Sequence, residues 1–472
     1  MKMTPYAEIQ VTTNFTFTYG ASHPHELIKT ARSLNYHAIA VTDHNSLAGV
    51  VRAHVVAREH GIKLLVGARL DFVNFPSLLC LPTTRNAYGC LTALLTTGKR
   101  RALKDQCKIY YSDLIENSTD QILVILPPRV ISYEFLEYLK ILSKNSPEHC
   151  YLAANYQYDG NDENKIAQLA ELSSLSNVPL VASNDVYYHI PERRVTQDIL
   201  TCIREKCTIE QAGFKLKANA ERYLKPPNEM IRLFSAYPEA IVHTTEIANR
   251  CCFSLDELEH CYPKESSKNG LPAFERLVQL SNEGAQKQYP DGVPTKICAQ
   301  LNHELQLIKQ LNYAPYFLTV YEIVRFAKSQ NILCQGRGSA ANSSVCYFLG
   351  ITAVDPSQIE LLFERFISSA RNEPPDIDID FEHDRREEII QHIYAKYGRD
   401  RVGMTATFVC YRARSAIRDI GKALGISSDI INTLSKTIWG SSKRPVNTDD
   451  VLETNLNPLD KKLQLALKLA EE

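Results

Sequence analysis

The chain has 472 residues, too many for one hydrophobic core, so two to four domains are expected. A composition of 44% hydrophobic and 23% charged residues excludes a disordered or collagen-like chain. With 53 Lys and Arg against 54 Asp and Glu, the net charge of −1 excludes a polyanion binder built on global charge, and any basic surface must be local.

The opening segment MKMTPYAEIQVTT lacks the apolar run of a signal peptide, and no stretch approaches the roughly 18 apolar residues of a membrane span. Thirteen scattered cysteines, with Cys251 and Cys252 adjacent and no C-x-x-C pair, argue against a zinc ribbon or disulfide framework and for a reducing cytoplasm. From residue 1 to about 255, short β-rich runs alternate with amphipathic segments. The runs are HAIAVTD (37–43), KLLVGARLDFV (63–73), QILVILP (121–127) and VPLVASNDVYY (178–188), with HPHELIKTARSLNY (23–36) as an amphipathic helix before the first of them. This pattern predicts an α/β domain with a largely parallel sheet. From 256 to about 335 the pattern is helical, with Leu301, Leu305, Ile308 and Leu311 at helical spacing and a second helix in YFLTVYEIVRFAKSQ. NILCQ then reads as a strand entering a glycine turn. Residues from about 405 to 472 are helical and richer in Lys and Arg, and KLQLALKLAEE stops without a cap signal, as expected of a chain cut inside a helix. The expected domains are 1–255, 256–405 and 406–472.

Three features carry chemistry. EPPDIDIDF (373–381) puts Asp376, Asp378 and Asp380 on one strand face, about 7 Å apart along the strand. Each neighbouring pair repels by about 2 kcal/mol at an effective dielectric near 20. The intervening isoleucines and Phe381 bury the other face, so divalent cations are the economical reason for collecting the carboxylates. The alternative is an edge strand whose acids deter pairing.

CQGRGSAANSSVCYFLG (334–350) runs from a strand through Gly336-Arg337-Gly338-Ser339 into a helix that carries Val345, Phe348 and Leu349 and ends at Gly350. Such a turn lets backbone approach a phosphate, and the helix N-terminus is expected to offer free N–H groups. Taken alone, the glycines are better explained by a tight packing turn. In YRARSAIRDIGKALG (411–425), Arg414, Arg418 and Lys422 fall at i, i+4, i+8 with Arg412 nearby. This stripe suits a nucleic-acid backbone, or else is a solvated face with Asp419 as its local partner. The first two features together supply both halves of two-metal phosphoryl transfer, with Arg371 placed to meet a phosphate. Asp384 is placed to N-cap the helix DRREEIIQHIYAKYG, with Glu387 three residues on.

GRGSAANSSVCYFLGITAVDP and LLFERFISSARNEPPDIDIDFEHDRREEIIQHIYAKYGRDR closely resemble the palm of bacterial C-family DNA polymerases, the DNA polymerase III alpha-subunit type. EPPDIDIDFEHDRREE and TATFVCYRARSAIRDIGKALG are most similar to the error-prone branch used in damage-induced mutagenesis. The opening, YAEIQVTTNFTFTYGASHPHELIKTARSLNYHAIAVTDHNSLAGVVRAH, is similar to that branch's polymerase-and-histidinol-phosphatase (PHP) domain. The resemblance covers essentially the whole chain. It implies a multi-domain α/β protein: a PHP-type α/β barrel-like domain, part of an α+β polymerase-beta-like palm, and part of a helical thumb.

The resemblance further implies a DNA-directed DNA polymerase adding dNTPs to a primer 3′-hydroxyl with two Mg2+ ions. Asp376 and Asp378 match the metal-binding pair best, with Asp380 as the third candidate. Gly336, Arg337, Gly338, Ser339 and Arg371 match the nucleotide site, while Arg412, Arg414, Arg418 and Lys422 are the DNA-binding candidates by their spacing. A third catalytic carboxylate belongs to a later palm strand, so little activity is expected of these 472 residues alone. The implied partners are primer–template DNA and dNTP, with the sliding clamp and other mutagenesis proteins reached through regions outside this chain, and no membrane. A non-catalytic fragment is the alternative. A PHP phosphoesterase is the weaker one, because Gln10 and Thr12 stand where metal-binding PHP domains have histidines, Arg69 where they have Glu, and Tyr187 where they have His. The remnants Asp43, His44 and Asp185 are therefore expected not to bind metal, with Asp43 and His44 serving as a hydrogen-bonded pair.

Overall fold

The computed structural model describes residues 4–259, 262–263, 270–355, 358, 366–367, 375–437, 456–457 and 459–472. It divides into two compact units, Met1–Leu258 with Val409–Glu472, and Glu259–Phe408. The stretch expected to form a third domain therefore clusters with the first.

The first unit is built on one sheet in sequential order: β1 (Ala7–Glu8), β2 (Ala38–His44), β3 (Lys63–Leu70), β4 (Leu78–Pro82), β5 (Gln121–Ile125), β6 (Cys150–Ala154) and β7 (Leu180–Ala182). All neighbours run parallel except β4, which is antiparallel to both β3 and β5. A parallel bridge between Val11 and Val186 brings the two edges together, with Thr12 N donating to Val186 O at 2.9 Å and Val186 N to Gln10 O at 2.9 Å. The sheet is thereby curled into the expected barrel-like form. Both faces are buried, as parallel strands require. Ile39 and Val41 of β2 pack with Leu27 and Ile28 of the helix Pro24–Ser33, while Ala38 and Ala40 pack with Leu79, Leu81 and Ile247.

The apolar runs read from the sequence hold β2, β3, β5 and β7, although β7 is only three residues of the 178–188 run. The sequence reading missed β1, β4 and β6. These are short, and β1 and β4 lie beside loops that carry no sharp turn signal. The helices Ala413–Ala423 and Lys461–Glu471 pack on Arg194–Glu205, burying Ala416, Ile420, Ala466 and Leu469 against Ile199 and Cys202. An amphipathic helix must bury its apolar stripe somewhere, and here the barrel domain supplies the surface.

The second unit packs the helices Ala273–Gln288, Thr295–Gln310 and Ala314–Ser329 around Leu277, Leu301, Leu305, Ile308 and Phe317. It carries an antiparallel pair, β8 (Cys334–Arg337) and β9 (Asp378–Phe381). The helix Arg386–Tyr397 lies behind the pair, with Ile389 packed on Ala327, Ile332 and Phe381, and His392 stacked on Phe326 at 3.5 Å. Its N-terminus differs from expectation. Asp384 lies in a 3-10 turn, His383–Arg385, the helix begins at Arg386, and Arg385 rather than Asp384 engages the first turn by bonding Glu388.

Candidate functional site

The aspartates project as the strand period requires. Asp376, Asp378 and Asp380 are exposed, and Ile377 and Ile379 pack against the helical core. Asp376 precedes β9, and its carbonyl accepts the Ser339 hydroxyl at 2.8 Å, while Ile377 N donates to the Tyr316 hydroxyl at 3.2 Å. Two backbone contacts thus fix the start of the carboxylate strand. Neither Tyr316 nor its role was legible, because 61 residues separate it from Ile377.

In the register of the pair, Arg337 opposes Asp378 and Gln335 opposes Asp380. The Arg337 guanidinium lies 3.1 Å from Asp380 Oδ1 and 3.4 Å from Asp378 Oδ2. The residue expected to meet a triphosphate thus lies against the acidic face. Gly336 is required by close approach: its N–H donates to Ile351 O at 2.7 Å, and a Cβ would sit 2.6 Å from that oxygen. Gly338, at φ +65°, takes the left-handed conformation that turns the chain. Arg371 lies outside the described residues.

One expectation fails. The helix after the turn, Ser344–Phe348, has no free N-terminus. The buried carboxylate of Glu304 accepts from Ser344 N at 2.9 Å, Val345 N at 3.1 Å and the Ser343 hydroxyl at 2.9 Å, and Ser343 itself caps Cys346 N. An internal carboxylate at the positive helix end leaves no donor there for a phosphate. Backbone contact with a phosphate would then fall to the Gly338–Ser339 turn. No motif marks Glu304, which lies 40 residues upstream on another helix.

The basic stripe does form. Arg414, Arg418 and Lys422 are exposed on Ala413–Ala423, opposite the buried Ala416, Ile417 and Ile420, and Arg412 is exposed at its start. Asp419, offered as the local partner, accepts from the Tyr411 hydroxyl at 3.0 Å.

In the first unit, every surviving remnant of a metal site is committed to protein donors. Asp43 accepts from Thr13 N, the Thr13 hydroxyl and the Thr16 hydroxyl at 2.7–2.8 Å. Burial nevertheless pushes its carboxyl up to about 6. His44 Nδ1 lies 2.9 Å from Asp71, so Asp43 and His44 do not pair with each other as expected. Asp185 is ion-paired with the buried Arg222 and accepts from Gln10 Nε2 at 2.8 Å. Arg69 Nε donates to Asp71 at 2.8 Å. A cluster whose carboxylates already hold two guanidinium groups, with an amide replacing an imidazole, does not fit divalent ions. Arg222 was missed because its partner lies 37 residues away.

A barrel-like domain with a rebuilt metal pocket, followed by a helical unit presenting a carboxylate strand beside a glycine turn, defines a PHP-linked polymerase class. Residues 8–242 match the PHP domain family, and residues 275–472 match the family described as the bacterial DNA polymerase III alpha NTPase domain. The error-prone DNA polymerase of Caulobacter vibrioides is 48% identical over 473 residues, covering 100% of this chain and 44% of the relative. That of Bradyrhizobium sp. ORS 278 is 48% identical, covering 99% and 41%, and that of Brucella abortus is 46% identical, covering 99% and 44%. The chain is thus similar over its whole length to these error-prone DNA polymerases and carries segments that match both families. It spans less than half the length of these relatives. Among solved structures, a putative metal-dependent phosphoesterase from Bifidobacterium adolescentis has a TM-score of 0.31 at 15% identity over 38% of this chain and 87% of its own, a likeness too slight to argue from.

Proposed function

We propose that the full-length protein extends a DNA primer in the error-prone, damage-induced manner of the branch that it resembles. The chain spans 44% of its Caulobacter relative, so the activity is assigned to the whole protein and not to these residues alone. The observation that carries the reading is the alternation around β9, with three aspartates exposed and the isoleucines between them packed inward. The donor set fits Mg2+: hard, accessible carboxylate oxygens, two of which already converge on one guanidinium. Among the described residues no three metal-ligating side chains gather closely enough to hold an ion alone. The substrate phosphates and the further carboxylate implied by the family would complete the site. When bound, Mg2+ lowers the pKa of an attacking hydroxyl and stabilises the leaving oxygen.

The chain's own groups have separate tasks. Asp376 and Asp378 would hold the ions, with the Asp376 backbone anchored by Ser339. Arg337 offsets the repulsion between carboxylates, and its side chain is 59% exposed, free to turn toward a triphosphate. The Gly336–Ser339 turn would bring backbone to that triphosphate, Arg371 would add a second charge, and the Arg412–Lys422 stripe would follow the DNA backbone. A phosphoesterase in the first domain is disfavoured, since Asp43, His44 and Asp185 are each engaged by protein groups. In the full-length protein, primer extension should vanish with Asp376→Asn and with Asp378→Asn. Undiminished extension by both variants sinks the assignment.

A further inference from the structure

Phe214 is the most exposed large apolar side chain among the described residues, at 108%, ahead of Val409 at 95%. It sits in a single 3-10 turn, Gly213–Lys215, directly after the short helix Ile209–Ala212. The turn is anchored on both sides. Ala212 and Leu216 belong to the cluster that holds Ala416, Ile420, Ala423 and Leu424, and Leu216 N donates to Gly213 O at 3.2 Å. With both flanks packed inward, the ring between them is held out in water.

Single apolar side chains on a surface are ordinary, so exposure alone does not mark a site. The surroundings of this one do. Arg204, Lys206, Lys215 and Lys462 stand around the turn, against Glu205 and Glu210. Glu205 is held by Arg204 at 3.2 Å and by Lys215 at 3.7 Å, and Glu210 by Lys462 at 2.9 Å. Lys206 is exposed and, among the described residues, has no carboxylate within ion-pair distance. The turn also continues the basic stripe of the helix Ala413–Ala423. A Cβ on Gly425, three residues past Lys422, would lie 3.9 Å from Thr208 Cγ2, and Thr208 opens the helix before Phe214.

A docking core for another protein would be a contiguous apolar patch depleted of lysine. A lone ring among cations instead matches a nucleotide, whose base stacks on the ring while its phosphates meet the charges. We propose that Phe214 is a stacking platform for an unpaired base of DNA, placed where the Arg414–Lys422 stripe passes on to Lys206 and Lys215. The inference rests on the reading of that stripe as a DNA surface and adds to it a preference for single-stranded DNA. Backbone charge is the same whether or not the bases are paired, but a base can lie on a ring only when it has left the duplex stack.

The test is fluorescence anisotropy of the whole chain with two DNAs: a blunt duplex, and the same duplex carrying an overhang of about ten thymines. Phe214→Ala should weaken the overhang complex about five-fold or more and change the duplex complex by less than about two-fold. Phe214→Trp should keep the preference for the overhang. Its added indole fluorescence should be quenched by the overhang DNA and not by the duplex, with the parent chain and its one tryptophan as control. Phe214 is fully exposed, so neither variant disturbs the core. Lys422→Glu should weaken both complexes. An overhang complex unchanged by Phe214→Ala overturns the platform and leaves the ring to a protein partner; equal weakening of both complexes overturns it as well. The two failures are distinguishable. If the platform alone is wrong, Lys422→Glu still weakens both complexes; if the stripe is wrong, Lys422→Glu changes neither, and the platform falls with it.

Discussion

Arg337 spans the β8–β9 pair and holds Asp380 at 3.1 Å and Asp378 at 3.4 Å, one guanidinium serving two carboxylates of the proposed catalytic face. The pair is exposed and screened by solvent, so each contact is weak enough for a competing cation or phosphate to displace. Arg337→Ala should therefore tighten binding of Mn2+ to the nucleotide-free protein by a few-fold, read by electron paramagnetic resonance. The same variant should raise the KM for dNTP in the full-length enzyme. Weaker Mn2+ binding would mean that Arg337 orients the carboxylates rather than competing for them.

Glu304 is buried and accepts three hydrogen bonds that cap the helix after the glycine turn. Truncation to Ala strands two backbone N–H groups and a hydroxyl, and an unsatisfied buried donor costs about 1–3 kcal/mol. Glu304→Ala should lower the urea midpoint and speed amide exchange at Ser344 and Val345. Glu304→Gln, which keeps an acceptor oxygen, should lose less. Unchanged exchange at both amides in Glu304→Ala would contradict the capping role.

Two buried carboxyls in the barrel domain predict a pH dependence of stability. Burial pushes Glu8 up to about 7 and Asp43 up to about 6. Both folded values lie above the unfolded ones, so the folded state keeps a proton that the unfolded state has released. The stabilisation is full below the unfolded value and is lost as pH rises through the folded value. Stability should fall between pH 5 and 7, by up to about 1.4 kcal/mol per pH unit for each proton retained. Glu8→Gln should flatten the slope of Tm between pH 6 and 7, and Asp43→Asn the slope below 6, in a calorimetric series. A Tm that rises across this range in the parent chain would refute the assignment.

The Arg414, Arg418 and Lys422 stripe is exposed and lies opposite an apolar face already buried in the fold. Arg418→Glu and Lys422→Glu should leave Tm nearly unchanged while weakening DNA binding. The logarithmic salt dependence of binding should shrink by about 0.9 for each duplex phosphate that the variant no longer neutralises. Fluorescence anisotropy at several salt concentrations separates this from a solvated face, which would give no change in slope.

Local pattern made the carboxylate strand and the parallel barrel strands legible. DIDID alternates with period 2, so the sharing of a face follows from strand geometry alone. AIAVTDH is apolar on both sides because the sheet is covered on both faces. The helix 413–423 advertised both its apolar stripe and its basic one through a period of 3.6. The residue types at Gln10, Thr12 and Arg69 were likewise readable as poor substitutes for imidazole and carboxylate donors.

Pairings between distant residues were decided only in three dimensions. Nothing near Arg337 says whether its guanidinium faces a phosphate or the aspartates 41 and 43 residues later; the antiparallel register places it opposite Asp378. Glu304 claims the helix end that the glycine turn advertised, and Arg222 claims Asp185, in each case through packing of segments that share no motif. Sequence thus determined which side chains lie on which face of a strand or helix, since that depends on backbone geometry over a few residues. Tertiary structure decided which charge meets which, because Coulomb and hydrogen-bond partners are set by proximity in space, and a local pattern contains no record of it.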